Sequence, residues 1–388
     1  ARSTSRRSRS GSSGSGSARW TSGSPVAIAG VWSGVEGIAL FRWLPQLAPR
    51  VPWVRLGTWP TPIDTISVEG RPIWVKREGD SSARYGGNKI RTLEAWLAHA
   101  QAEGYRRIWA MGAYGSNHAI ATVLHARALG LEAGAILFPQ PPSEWARENA
   151  SALVGSGCEL VRLRHVVELP FAGLRIARRD RRGVVMPPGG ATAVGTFGAI
   201  SAAFEIAEQV AAGIAPPPAR IVLPIGSTCT SAGLLAGFSL AHATGAWPWP
   251  VPIIHAVRVT PWPVTSRVRT AHLALRSLER IAKLGGPKLD LGLATLIRRL
   301  VVDGRELGPG YGLPTPTSDA AMRTLANANA PRLDGVYSGK AGAALLRLHR
   351  RGVGPLLFWA TKSTVILPPA TRTAHAPRAL REWLTSPW

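Results

Sequence analysis

Apolar residues at Ile90, Leu93, Leu97 and Ala100 recur at helical spacing directly behind the stretch YGGNK (85–89). This pattern predicts an amphipathic helix whose first turn carries Lys89. Upstream, RPIWVKRE reads as a strand. Downstream, RRIWAMGAYGSNHAIATVLHARALG reads as strand, loop and helix, EAGAILF as a strand, SEWARENASALVGSG as a helix and CELVRL as a strand. Farther on, TFGAISAAFEIAEQVAAG (helix) precedes ARIVLPIG (strand), GSTCTSAG (loop), LLAGFSLAHATG (helix) and IIHAVRV (strand). Strands alternating with helices predict an α/β protein with parallel sheets covered on both faces. No internal repeat is evident. Residues 1–24 are basic, acid-free and of low complexity, so they are expected to be disordered. The following PVAIAGVWSGVEGIALF gives a faint signal-peptide pattern that Glu36 interrupts. The whole of 1–49 is set aside as a disordered, basic extension.

Charge and composition change this picture little. The net charge is +24, and all but six of the 46 basic residues are arginine. The lysines stand at 76, 89, 283, 288, 340 and 362, which makes each of them informative. Such a charge ordinarily suggests nucleic acid or an anionic membrane. Here it is scattered over RIARRDRR (175–182), SRVRTAHLALRSLER (266–280) and RLHRR (347–351), with no aromatic-interleaved stripe and no zinc-finger or RNA-binding signature. We therefore expect no specific nucleic-acid partner. Between Arg220 and Arg258 the chain is free of Asp, Glu, Lys and Arg, but GSTCTSAG and WPWPVP break the run. No apolar stretch long enough to span a membrane remains. The two cysteines, Cys158 and Cys229, form no CxxC pair, which fits free thiols in a reducing, cytoplasmic setting. The nine histidines show no metal-ligand spacing, so no metal site is expected.

Three loops between a strand and a helix carry the candidate chemistry, at the place where open α/β sheets gather ligands. The first is GGNK, with Lys89 on a rigid base behind a side-chain-free approach, as a nucleophilic lysine needs. The second is YGSNH (114–118), where Ser116 and Asn117 stand at a helix start. The third is GSTCTSAG (226–233), whose small and hydroxylated residues at a helix N-terminus suit a phosphate. Taken singly, each has a plain alternative: a solvated lysine, an N-cap and a tight turn. Together, a nucleophilic lysine and a phosphate cradle, with no carboxylate pair or metal cluster, point to a phosphorylated carbonyl cofactor. Pyridoxal 5'-phosphate fits.

The ordered set WPTPID (59–64), GGNK, SNH, the Gly/Ser/Thr loop, GPGYGLP (308–314) and VYSGKA (336–341) resembles the 1-aminocyclopropane-1-carboxylate (ACC) deaminase/D-cysteine desulfhydrase family. These are tryptophan-synthase-β-like (fold type II) pyridoxal-phosphate enzymes, and the likeness runs from about residue 50 to 370. It implies two open α/β domains with the cofactor between them: a discontinuous large domain (50–91 and 194–388) and a small one (92–193). It implies that Lys89 holds the cofactor as a Schiff base, that Asn117 bonds its phenolic oxygen, and that Ser116 faces the substrate. Gly226, Ser227, Thr228, Cys229 and Thr230 match the phosphate loop. Tyr311 and Tyr337 match two active-site tyrosines, and Thr361 lies where the family places a residue beside the pyridine nitrogen. The family is commonly dimeric, so a homodimer acting on a small amino acid is expected.

Departures from the family pattern lie close to the substrate. Gly115 stands where Gln is usual, which would open space for something larger, and Ile120 stands where Arg is common. GSTCT replaces GSGGT, and ATKS (360–363) replaces HTGG. ACC deaminases of the family typically carry Glu after the tyrosine of VYxGK and a bulky apolar residue near the pyridine nitrogen. The desulfhydrases carry small hydroxyl residues, as Ser338 and Thr361 do here. The expected activity is therefore a lyase or deaminase reaction of the D-cysteine desulfhydrase type, giving a 2-oxo acid and ammonia. The alternatives are ACC deamination, a cofactor-binding member without turnover and, in another class, an arginine-rich polyanion binder.

Overall fold

The computed structural model describes residues 35–387. In chain order the chain forms α1 (Ala39–Trp43), β1 (Ile63–Val68), β2 (Arg71–Arg77), α2 (Lys89–Ala102), β3 (Arg107–Ala113), α3 (Asn117–Ala128), β4 (Glu132–Phe138) and α4 (Glu144–Gly155). Then come β5 (Glu159–Arg162), α5 (Leu169–Arg179), β6 (Gly183–Met186), α6 (Phe197–Ala211), β7 (Arg220–Ile225), α7 (Cys229–Ala243), β8 (Ile253–Arg258) and α8 (Arg267–Lys283). The chain finishes with α9 (Leu293–Arg298), β9 (Leu300–Asp303), α10 (Pro316–Asn327), α11 (Ser338–Arg350), β10 (Leu356–Ala360) and α12 (Arg378–Thr385).

Two sheets result. One has the order β1-β2-β10-β7-β8-β9, and the other β5-β4-β3-β6. Every pairing is parallel except the β1–β2 hairpin, as strand–helix alternation requires. The strands of the second sheet fall in sequence between β2 and β7 of the first, so the first is assembled from both flanks. Its β10 pairs with β2 on one side and β7 on the other. α6 and α7 are buried along nearly their whole length, which explains why apolar residues dominate both.

Among the described residues the N-terminal extension is shorter than its sequence suggested. Ile38, Leu40, Phe41, Leu44 and Leu47 are buried, and the Leu40 N–H donates to Ser201 Oγ on α6 at 3.2 Å. Residues 38–47 form a capping element because their apolar side chains find a hydrophobic flank on α6. Residues 1–34 lie outside the described part.

The sheets are also tied together by α4 and the C-terminal segment. Arg332 donates to Glu148 on α4 at 2.7 Å. The Ala370 N–H donates to Ser151 Oγ at 2.8 Å, and Trp383 Nε1 donates to the Gln140 carbonyl at 2.6 Å. Among the described residues no helix is long and apolar enough to cross a membrane.

Candidate active site

The loops singled out above leave the C-terminal ends of parallel strands. Gly115–Asn117 follows β3, Gly226–Thr228 follows β7, and Thr361–Ser363 follows β10. The glycine-rich turn before α2 rests on the last of these. The Asn88 N–H faces the Thr361 carbonyl at 3.4 Å, and the Gly86 N–H donates to Ser363 Oγ at 3.0 Å. Asn88 Nδ2 donates to Thr230 Oγ1 at 2.9 Å, which joins the lysine turn to the hydroxyl loop.

Two other buried lysines are already committed. Lys76 donates to the Thr61 carbonyl and Gln209 and pairs with Glu205; Lys340 donates to the carbonyls of Leu307 (2.8 Å) and Gly310 (3.2 Å). Lys89 makes no ion pair among the described residues, and burial lowers its pKa, with the Cys229 thiol opposing that shift. It therefore carries an amine without an ionic partner among the described residues, its pKa shifted in the direction that attack on a carbonyl needs. Its field reaches the neighbouring His118, which burial and Lys89 together push down to about 3, so the imidazole stays neutral. Gly189 also closes on Lys89. It sits at φ +65°, and a Cβ there would lie 2.0 Å from Ser227 Oγ and 3.6 Å from Lys89 Nζ, so only glycine fits this approach.

Asn117 is oriented by its partners. Its Oδ1 accepts from Asn149 Nδ2 at 2.9 Å and lies 2.8 Å from the Tyr85 hydroxyl. With Oδ1 accepting from Asn149, and the Tyr85 hydroxyl as close to Asn149 Oδ1 (2.8 Å) as to it, Nδ2 is the group left to donate to a ligand oxygen. Ser116 is the N-cap of α3 and accepts from the Ala119 N–H at 3.2 Å. Opposite, the hydroxyls of Tyr311 and Tyr337 lie 2.7 Å apart. Burial pushes Tyr311 up to about 12 and Tyr337 higher still, so both hold their protons. The Tyr337 ring packs over the hydroxyl loop, 3.2 Å from where a Cβ on Gly226 would stand.

The hydroxyl loop has the features of an anion cradle. Thr228 adopts φ +76°, a left-handed conformation rare for a β-branched residue. Its hydroxyl is buried without a hydrogen-bond partner among the described residues. The loop opens α7, 15 residues long, and Thr228 is its N-cap, where a helix leaves its first N–H groups without internal partners. Cys229 is turned inward, with Sγ 3.5 Å from the Gly190 carbonyl and 3.7 Å from Thr92 Oγ1, and so packs rather than reaches the cradle. A phosphate is the ligand that an orphaned hydroxyl at a helix N-terminus fits, and Lys89 stands beside it for an aldehyde.

One departure from the family pattern differs from expectation. Gly115 does not open space, because a Cβ there would lie 2.4 Å from both Cα and Cβ of Ala146; α4 occupies the room a glutamine would need. Ser338 is held by its own segment. It is fully buried, and its hydroxyl bonds Asp334 Oδ2 at 2.9 Å, while Asp334 Oδ1 accepts from the N–H groups of Val336 and Tyr337. Ile120, in place of arginine, is core. The sequence reading passed over Tyr85, Asn149, Gly189 and Asp334. Of these only the PPGG run at 187–190 carries a local signal. Among the described residues no three His, Cys, Asp or Glu side chains are grouped to hold a metal ion.

Comparison with known proteins agrees with this geometry. A family model described as "Pyridoxal-phosphate dependent enzyme" matches residues 54–355. The chain is 33% identical over 323 residues to nocardicin C-9' epimerase of Nocardia uniformis subsp. tsuyamanensis, covering 81% of this chain and 93% of that protein. It is 31% identical over 329 residues to D-cysteine desulfhydrase of Salmonella paratyphi C (strain RKS4594), covering 80% and 93%. Among solved structures, an ACC deaminase homologue superposes with a TM-score of 0.68 at 27% identity, covering 89% of this chain and 99% of that one. With its free lysine, oriented asparagine and hydroxyl cradle, the chain belongs to the pyridoxal-phosphate-dependent enzymes, in the ACC deaminase/D-cysteine desulfhydrase family.

Proposed function

We propose that the chain is a lyase that eliminates a β-substituent from a D-amino acid with a good leaving group, such as D-cysteine, to give a 2-oxo acid and ammonia. The observation that carries this reading is the Tyr311–Tyr337 hydroxyl pair, protonated and held over the cradle. Bound pyridoxal phosphate supplies an electron-withdrawing ring that acidifies the substrate Cα–H bond. Lys89 would hold the cofactor through its amine and, when that amine is free, would accept the Cα proton of the substrate. Asn117 Nδ2 would donate to the phenolic oxygen, and Thr228 with the α7 N-terminus would hold the phosphate. The substrate carboxylate meets the first N–H groups of α3, beside Ser116. As the Cβ–S bond breaks, sulfur leaves with the electron pair, and the tyrosine pair donates the proton it takes up. The released enamine is hydrolysed to the 2-oxo acid and ammonia.

Preference for this chemistry over ACC opening is supported by the neutral Thr361 and by Ser338, whose hydroxyl is spent on Asp334. A glutamate at 338 would bury a second carboxylate beside Asp334, at high cost. Epimerisation at Cα is a second reading, favoured by the nocardicin epimerase relative. It shares the proton abstraction and differs in where the proton returns.

The test assays D-cysteine, L-cysteine and ACC side by side, with D-alanine in deuterium oxide. Pyruvate from D-cysteine alone is expected. Faster 2-oxobutyrate from ACC would overturn the reading. Conversion of D- to L-alanine with Cα deuterium, unaccompanied by pyruvate from D-cysteine, would replace it with the epimerase.

A further inference from the structure

Helix α5 is apolar on two sides, and only one of them is buried. Leu169, Ala172 and Ile176 pack with Trp109, Met111 and Ile136 of the second sheet. On the other side Val167, in the turn that leads into the helix, Pro170, Phe171 and Leu174 succeed one another at helical spacing. They face solvent: Phe171 is 76% exposed, Val167 70% and Leu174 52%. Packing on the sheet accounts for the inner row and gives no reason for the outer one. Single exposed apolar side chains are ordinary, but a contiguous row marks a contact surface.

Arginine frames the row. Arg164 precedes it, Arg175 and Arg178 continue along the helix, and Arg181 and Arg182 follow it; all five are exposed. Among the described residues none of these five side chains makes an ion pair, whereas Arg179 is held by Glu159 at 2.7 Å. The acids of the segment are spent nearby. Glu168 Oε1 accepts from the N–H groups of Arg164 and His165, and Asp180 Oδ2 accepts from Trp109 Nε1 at 2.8 Å. The apolar row thus stands in a local excess of positive charge. A phenylalanine so exposed projects from the surface rather than lining a groove, which suits a soft layer it can enter. A second copy of this chain would set the same arginines against one another. Anionic lipid accepts both parts: apolar side chains enter the boundary between headgroups and acyl chains, and arginines meet the lipid phosphates. We propose that α5 is a docking face for an anionic lipid surface, on which the enzyme lies without crossing it. Ile108 and Ala110 of β3 face the α3 side of the sheet, and Trp109 and Met111 the α5 side, so this face is separate from the site at the strand ends.

The test sediments full-length holoenzyme with vesicles of phosphatidylcholine alone or with about one quarter phosphatidylserine, at about 100 mM salt. Binding to the anionic vesicles is expected to be at least about ten-fold tighter. The net charge of the chain contributes to that difference, so the decisive variant leaves charge unchanged. Phe171→Ser combined with Leu174→Ser should weaken binding to anionic vesicles about ten-fold. Val268→Ser, on the equally arginine-rich α8 and itself 56% exposed, should leave it unchanged. Arg175→Gln combined with Arg178→Gln should weaken it about twenty-fold, roughly five-fold for each charge, and flatten its salt dependence. Poly-L-glutamate offers charge without an apolar layer and should bind the wild type and the serine variant alike. Equal binding to both kinds of vesicle, or anionic binding that the serine pair leaves within about two-fold of the wild type, overturns the proposal. A matching loss of poly-L-glutamate binding would assign the face to an acidic protein and overturn it too. So would self-association of the wild type that the serine pair abolishes in sedimentation velocity, since the face would then join two copies. If the serine variant does not fold, unchanged anionic binding in the glutamine pair overturns the proposal.

Discussion

Thr228 pays for its place in the loop with its backbone. A β-branched residue at φ +76° carries about 1–2 kcal/mol of steric strain, and its hydroxyl is buried unpartnered. Replacing it with glycine should therefore stabilise the cofactor-free protein by about 1 kcal/mol and weaken its hold on pyridoxal phosphate. Thermal denaturation with and without cofactor reads both effects; a loss of apo stability would show that the hydroxyl packs rather than binds. Restoring the usual family residue with Gly115→Gln should destabilise by about 2–3 kcal/mol, because the new Cβ meets the Ala146 backbone at 2.4 Å. Denaturant titration checks it. Lys89 was legible in the sequence because lysine is rare here and glycines precede it. The filling of the Gly115 site was not, because Ala146 lies on another element and local sequence carries no sign of the contact.

At the scale of elements, α2, α6 and β2 are joined by buried charge. Lys76 on β2 and Arg91 on α2 both pair with Glu205 on α6, and Arg91 also pairs with Glu78. Burial alone would push the Glu205 carboxyl up, but Arg91 and Lys76 outweigh it and hold it at about 2, against 4.5 ordinarily. A folded pKa below the unfolded one means stability that is present above pH 4.5 and lost as pH falls toward 2. Glu205→Gln should cost about 3–5 kcal/mol at neutral pH, since it leaves Lys76 buried without its carboxylate and Arg91 with Glu78 alone. It should also flatten the decline of stability between pH 4.5 and 2; a decline as steep as the wild type's would place the acid sensitivity elsewhere. None of this network was read from sequence, because its members are 13 to 129 positions apart. Elements with long periodic patterns, such as α2 and α6, were legible. The short buried β10, burial pattern unbroken over LLFWA, was not, since a brief apolar run fits strand and helix equally.

Over the whole molecule the charge of +24 is the property least tied to the site. The order of the short motifs, rather than the charge, pointed to two α/β layers with ligand loops at strand ends, since that order follows the chain's path through both sheets. Some of the arginine is engaged in ion pairs, as Arg77 with Asp64 and Asp80, Arg107 with Glu132 and Glu159, and Arg347 with Asp303 and Glu306. The remaining excess should still attract polyanions by counterion release, without sequence readout. Duplex DNA should therefore bind at 50 mM salt and lose at least about 100-fold in affinity by 200 mM, as a surface neutralising several phosphates does. Duplexes of unrelated sequence should agree within about two-fold, well short of the discrimination that base contacts give. Saturating cofactor should leave the binding unchanged, because the lysine, asparagine and hydroxyl loops are buried or half-buried at the strand ends and carry no part of the exposed arginine charge. Sequence discrimination that persists at 200 mM salt would instead make nucleic acid a genuine partner and the arginine content a functional feature.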